Sequence, residues 1–226
     1  KNVIKLDSAP NIDIGPHCNK PYDCDFKGTC WKHIPEYSVF DISNLNKKKK
    51  FNLYNQGVLT LDQIDLSQIK LSDKQVLQLE SEAEGRSYVN KDKIGGFLSN
   101  LSYPLYYLDF ETINPGLPKY QGLRPYQNII FQYSLHVNQS EGSELSHKEH
   151  LADPKKDPRL ELIKQLISDC GVSGDILVYN ISFERSRLRE LIEQFPSYKS
   201  PLQAIVERLK DLMIPFQNKW YYTPEM

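Results

Sequence analysis

The run Leu105-Tyr106-Tyr107-Leu108-Asp109-Phe110-Glu111-Thr112 constrains this chain more than any other stretch. Its first four residues are apolar or aromatic on both alternating faces, the composition of a strand buried in the middle of a sheet. It then ends in acids. Strand side chains alternate with period two, so Asp109 and Glu111 project from the same face at the strand's end. Two like charges so placed repel and raise each other's pKa unless a hard cation is present, and such paired oxygens are what Mg²⁺ or Mn²⁺ accepts. The structural alternative is a solvated strand end.

Downstream, strand-like and helix-like blocks follow in order. Asn128 to Val137 and Leu145 to Leu151 read as two strands joined by a turn at Gly142. Asp157 to Asp169 carries Leu160, Leu162, Ile163, Leu166 and Ile167 at helical spacing; a strand over Asp175 to Tyr179 and a helix over Ser182 to Gln194 come next. Three antiparallel strands, then helix, strand and helix, predict an α/β class chain (an α+β mixed sheet) with a ribonuclease-H-like core and flanking helices. Upstream, Ser72 caps a helix over Asp73 to Ala83 that Gly85 ends; a short helix over Thr60 to Ile64 and a third carrying Ile94, Phe97 and Leu98 serve as connectors. The Lys47–Lys50 run reads as a linker or exposed turn. The expected division is therefore a small irregular cysteine segment over 1–45, connector helices over 46–101, and the core over 102–226.

Charge excludes some classes. Lys and Arg number 28 against 29 for Asp and Glu, a formal charge of -1, so no global basic field announces a nucleic-acid partner, although a local basic surface is compatible with it. No apolar run approaches the ~18 residues of a membrane span. We expect no leader ahead of the body, and a cytoplasmic location with no membrane and no evident protein partner. The start at Lys1 and the end just after aromatic residues lead us to expect a piece of a longer protein.

A second block, Ile176-Leu177-Val178-Tyr179-Asn180-Ile181-Ser182-Phe183-Glu184, again runs a buried strand into a helix. Phe183 should pack inward while Glu184 reaches back toward Asp109 and Glu111, supplying a third carboxylate. Otherwise Asn180 is simply an N-cap and Glu184 pairs with a neighbouring Arg. Taken together, the two blocks resemble the first two motifs of the DEDD exonuclease superfamily, an Asp-x-Glu and a later Asn-x-x-Phe-Asp, with Glu184 standing for the second Asp. Tyr103 to Pro115, Arg124-Pro125-Tyr126-Gln127 and Phe131 to His136 also look like a family of uncharacterised bacterial proteins with this predicted core.

The resemblance implies a metal-dependent nuclease, a 3′–5′ exonuclease acting on DNA or RNA by a two-metal mechanism, with Asp109, Glu111 and Glu184 holding Mg²⁺ or Mn²⁺. It places Thr112, Asn180 and Phe183, which lie within the motifs, at the substrate. Family members carry a fourth acid on a later helix. Asp211 reads instead as a strand or turn supporting the core, and the spacing of Tyr221 and Glu225 as coincidence, so the fourth acid is expected beyond Met226 and the present chain to be nearly inactive. The loop Asn114 to Gln127 follows the acidic pair and should overhang it; Arg124 suits a phosphate, and Tyr120 or Tyr126 a base, unless the loop merely packs. Arg185, Arg187 and Arg189 fan out as solvation. The rival readings are a non-catalytic nucleic-acid-binding or scaffolding module whose metal site has lapsed, and a phosphodiesterase of small nucleotides.

Cys18, Cys24 and Cys30 lie in one short stretch with five residues between successive members, while Cys170 stands alone. That spacing is unlike a Cys-x-x-Cys zinc knuckle. It is similar to the C-terminal cysteine cluster of iron–sulfur PD-(D/E)XK nucleases, which implies an iron–sulfur cluster completed by an upstream cysteine. A Cys₃His zinc site using His17 or His33, or plain reduced thiols, are the alternatives.

Overall fold

A computed structural model of the chain describes residues 12–224. The chain divides into two compact units, one running up to Val89 and taking the chain back from Tyr221, the other being Asn90–Trp220. This division differs from the expected one at both ends. The segment taken for connectors has a core of its own, and the last strand belongs with it.

In the first unit, helices α1 (Lys27–Cys30), α2 (Lys47–Asn55) and α3 (Asp73–Glu84) are accompanied by strand β1 (Tyr88–Val89). The lysine run is helical rather than a linker. Asn46 caps it, its Oδ1 accepting the Lys49 N–H at 2.8 Å, and Phe51 and Leu53 one turn on are buried. Ser72 caps α3 and Gly85 ends it in the left-handed conformation, as the sequence predicts. Val39, Ile42, Leu45, Leu53, Leu61 and Leu79 form one cluster; Ile14, Cys18 and Phe51 form another with Trp31 and Phe40 against it. Gln78 ties the unit together, donating to the Tyr37 hydroxyl (2.6 Å) and the Asp41 carbonyl (3.1 Å) while accepting the Ser43 N–H (2.9 Å).

The second unit is a mixed α/β domain. Helix α4 (Lys91–Ser99) leads into strands β2 (Leu105–Ile113), β3 (Ile129–Asn138) and β4 (Leu145–Leu151), then α5 (Arg159–Asp169), β5 (Ile176–Val178), α6 (Ile181–Gln194), α7 (Lys199–Glu207), β6 (Leu209–Asp211) and α8 (Ile214–Gln217); β7 (Tyr221–Tyr222) pairs with β1 in the first unit. The five-stranded sheet has the order β4-β3-β2-β5-β6. β2 is antiparallel to β3 and parallel to β5. Helix α5 starts two residues later than expected because Pro158 leads into it, and the Asp157 carboxylate accepts the Arg159 N–H at 3.1 Å.

One face of the sheet is covered. Tyr106, Leu108, Phe110, Tyr133, Leu135, Ile176 and Val178 pack beneath Leu162 and Leu166 of α5, Leu188 of α6 and Leu202 of α7. Residues of opposite parity face the other way, so the register puts Asp109 beside Ser134 and Ser134 beside Glu149 in one cross-strand row on the second face. Among the described residues no helix is long and apolar enough to cross a membrane.

The turn between α5 and β5 is held by Arg208, whose guanidinium donates to the carbonyls of Cys170, Gly171, Ser173 and Gly174 at 2.6–2.9 Å. Gly174 has φ +83°, and a Cβ there would stand 2.0 Å from the Pro104 carbonyl oxygen. Only glycine meets both demands. We expect Gly174→Ala to cost about 2 kcal/mol or more in urea denaturation, whereas Val172→Ala, on a residue 98% exposed in the same turn, stays within about 0.5 kcal/mol. Equal midpoints for the two variants would refute this account of the turn.

Candidate active site

The sheet reverses its building direction at β2. From there the chain lays down β3 and β4 on one side, then crosses to β5 and β6 on the other. A crevice opens beyond the carboxyl ends of strands at such a switch point, because the loops leaving the two neighbouring strands part in opposite directions. Asp109 and Glu111 lie at that end of β2, and Asn180 follows β5 there.

Both β2 acids are solvent-exposed, on one face as expected. A β-bulge follows immediately: Glu111 pairs with Gln132 but Thr112 with Ile130, leaving Phe131 as the extra residue. Bulges beside active sites re-aim side chains at a strand's end. Thr112 is half-buried there.

Asn180 adopts a left-handed conformation (φ 69°, ψ 68°) and makes no side-chain capping bond, although it occupies the N-cap position of α6. What holds it is Asp211. The Asp211 Oδ1 accepts the Asn180 N–H at 3.1 Å and the Met213 N–H at 2.9 Å. Asp211 ends β6, as its sequence setting indicates, and is buried. Its link to the site is tertiary: the register pairs Val178 with Asp211, bringing the end of β6 beside the turn that starts α6.

That turn sets Glu184. The residue is only 2% exposed, and its Oε2 is buried without a hydrogen-bond partner. Burial pushes its carboxyl up from 4.5 to about 7; its own backbone N–H opposes the rise, and the charges of Asp109 and then Asp211 add to it. The alternative in which Glu184 pairs with an arginine is absent here. Arg187 instead pairs with Glu190 at 2.7 Å and lies over the Phe183 ring, so it is not mere solvation. Phe183 packs inward against the core.

The structure thus brings Glu184 into electrostatic reach of Asp109, with Glu111 on the same face as Asp109 and Asp211 as a further acid. Among the described residues, no three His, Cys, Asp or Glu side chains are gathered as a ready-made metal cage. The donor set nonetheless fits a hard cation. It consists of carboxylate oxygens, one of them buried and unpartnered, and two of its members are exposed on a strand end where their rotamers are free to turn.

In the loop Asn114 to Gln127, the Arg124 side chain is 77% exposed and only 3.9 Å from Glu190, while Gln127 donates weakly to Glu190 at 3.5 Å. Tyr126 is exposed at φ 58° with its ring against Gly116. Tyr120 serves packing: its hydroxyl donates to the Lys156 carbonyl at 2.7 Å. The sequence reading passed over Tyr179. It follows β5 directly, 58% exposed, with its ring 6.5 Å from that of Phe216. Its place at the end of that strand is the one signal the sequence carries for it.

The cysteines are housed separately. Cys18 is buried among Ile14 and Phe51, while Cys24 and Cys30 are exposed free thiols. His33 meets the Tyr54 hydroxyl at 2.8 Å, and His17 is exposed. The Cys24 N–H donates to the Cys18 carbonyl at 2.9 Å, and among the described residues the thiols are not gathered with a histidine or acid as a three-ligand group. Glu225 lies outside the described residues.

Because the folded state binds the Glu184 proton more tightly than the unfolded chain does, its contribution to stability is intact below about pH 4.5 and lost as pH rises through about 7. We expect Glu184→Gln to change urea stability little at pH 5 and to exceed the wild type at pH 8 by on the order of 1–3 kcal/mol. An effect equal at the two pH values would contradict the assignment.

Residues 106–226 match a family model described as a domain of unknown function, DUF2779. Comparison with curated proteins and with solved structures gave no match. The matched segment takes in Asp109, Glu111, Glu184 and Asp211 and more than half of the chain, and the chain belongs to the DUF2779 family.

Proposed function

We propose that the chain carries the core of a metal-dependent nuclease of ribonuclease-H-like type, in which Asp109, Glu111 and Glu184 hold Mg²⁺ or Mn²⁺. The observation that carries this reading is Glu184, an acid sealed from water beside Asp109 and Asp211 with one oxygen unpartnered. An unsatisfied buried polar group costs about 1–3 kcal/mol, and a perturbed carboxyl in a crevice is the kind of group that chemistry retains. The fold is consistent with it: β2, β3 and β4 antiparallel, then α5, β5 and α6, with the acids at the switch point.

A divalent cation bound there would neutralise the phosphoryl oxygens and lower the pKa of water. The chain's own residues divide the work. Asp109 and Glu111 would hold the cation from the strand side and Glu184, as its carboxylate, from the start of α6. Asp211, with Oδ1 committed to two N–H groups, keeps the α6 turn in place. Nucleic acid is the substrate best matched to the surroundings, because Tyr179 and Tyr126 are exposed aromatic rings that suit bases, and Arg124, 77% exposed beside Glu190, is a guanidinium that suits phosphate.

The test is cleavage of end-labelled single-stranded DNA and RNA by the full-length gene product in Mn²⁺. We expect metal-dependent shortening that Asp109→Asn lowers by about 100-fold or more. The chain should bind Mn²⁺ with release of protons near pH 7. Full-length protein that cleaves neither substrate, or an Asp109→Asn variant as active as wild type, would overturn the reading.

A further inference from the structure

A recess of about 440 Å³, within the range of ligand sites, opens in the first unit. Ile34, Pro35, Phe40 and Phe51 give it apolar walls, and Trp31 joins them with its ring centroid 4.7 Å from that of Phe40. Lys27, Lys47 and Lys50 set three cations around it against the acids Glu36 and Asp41. All of these residues lie ahead of the segment that matches the family model, so neither that match nor the carboxylate crevice accounts for them.

Two of the three cations have donors to spare. Lys27 is engaged, pairing with Asp23 at 3.4 Å and lying 5.4 Å over the Trp31 ring. Lys47 has no partner among the described residues, and Lys50 gives one N–H to the Phe40 carbonyl at 2.5 Å, which leaves two. The pair stand three residues apart in α2, so their side chains leave one face of the helix. Burial draws the Lys50 amine below its ordinary range, with the charge of Asp41 opposing the fall. Their placement is also unfavourable to the helix. Four lysines and no acid fill the first turn of α2, the end at which the helix dipole is already positive. The acids of the lining do not offset this: Asp41 Oδ2 accepts the Ser38 N–H and hydroxyl, both at 2.9 Å, and among the described residues neither Asp41 nor Glu36 forms an ion pair with a lysine. An anion in the recess would relieve the repulsion among the lysines and their conflict with the dipole. Trp31 adds a buried Nε1–H without a hydrogen-bond partner.

We propose that this recess binds a small phosphate monoester with an apolar body, its phosphate on Lys47 and Lys50 and its body against Ile34, Pro35 and Phe51. The inference does not depend on the nuclease reading. A phosphate monoester is close to a dianion above pH 7 and carries three acceptor oxygens, which matches two ammonium groups at a helix N-terminus better than the single charge of a carboxylate does. Inorganic phosphate has the charge but leaves the apolar walls in water, so the apolar body supplies the rest of the affinity.

The experiment is isothermal titration calorimetry of the full-length protein at pH 8 and low salt, with phenyl phosphate, phenylacetate and inorganic phosphate as probes. EDTA is present, so that no phosphate is held at the Asp109 crevice through a cation. We expect phenyl phosphate to bind about tenfold more tightly than either of the other two. Lys47→Met, at an exposed residue with no partner to lose, should weaken phenyl phosphate by about tenfold, and Lys50→Met by at least as much. Lys48→Met removes the same charge from the same helical turn but not from the recess, and should leave the affinity within about twofold. Because Lys50→Met also gives up the bond to the Phe40 carbonyl, Lys47→Met is the deciding variant. Phenyl phosphate that fails to bind, or binds no more tightly than inorganic phosphate, overturns the site. Phenylacetate of equal affinity overturns the choice of phosphate. A loss with Lys48→Met as large as with Lys47→Met shows attraction to the lysine run as a whole and overturns the recess.

Discussion

Strand β2 is paired on both sides, antiparallel to β3 and parallel to β5, and the candidate site depends on that change of direction. A strand with two partners must satisfy its backbone donors and acceptors within the sheet, which explains why its first half is apolar on both faces. The same pairing puts the carboxyl ends of β2, β5 and β6 along one edge. Acids from three stretches of sequence that are far apart in the chain, Asp109 with Glu111, Glu184 and Asp211, therefore come to one edge.

The acids at that edge have different tasks because their surroundings differ. Asp109 and Glu111 stand in water, where charge is inexpensive. Asp211 is buried but has two backbone N–H groups on one oxygen, which fixes the left-handed Asn180. Glu184 is buried with an oxygen unsatisfied, and its carboxyl rises to about 7. A cation would supply the missing partner.

Much of this was legible in the residues. The three long strands, helix α6 and the inward turn of Phe183 follow from period-two and period-3.6 patterns, and the common face of Asp109 and Glu111 follows from period two alone. Other features were not legible. The Lys47–Lys50 run looks solvated because four charges hide an N-cap and a short amphipathic helix whose apolar positions come one turn later. The Arg187 pairing looks like surface charge until Phe183 and Glu190 are placed around it. The end of β2 depends on a bulge, and a one-residue slip between strands leaves no mark in either strand's composition.

By itself the sequence determined strands β2 to β5, helices α3 to α6 and that two carboxylates leave β2 on one side, since these depend on local geometry. It also contained Glu184 at the right place in a helix. The tertiary structure alone decided that Glu184 would be sealed from water, that Asp109 and Asp211 would be the charges near it, and that Asp211 would hold Asn180. Those outcomes depend on which strands become neighbours, and that is set by burial of the whole sheet face beneath α5, α6 and α7, a long-range packing result that no short window of residues encodes.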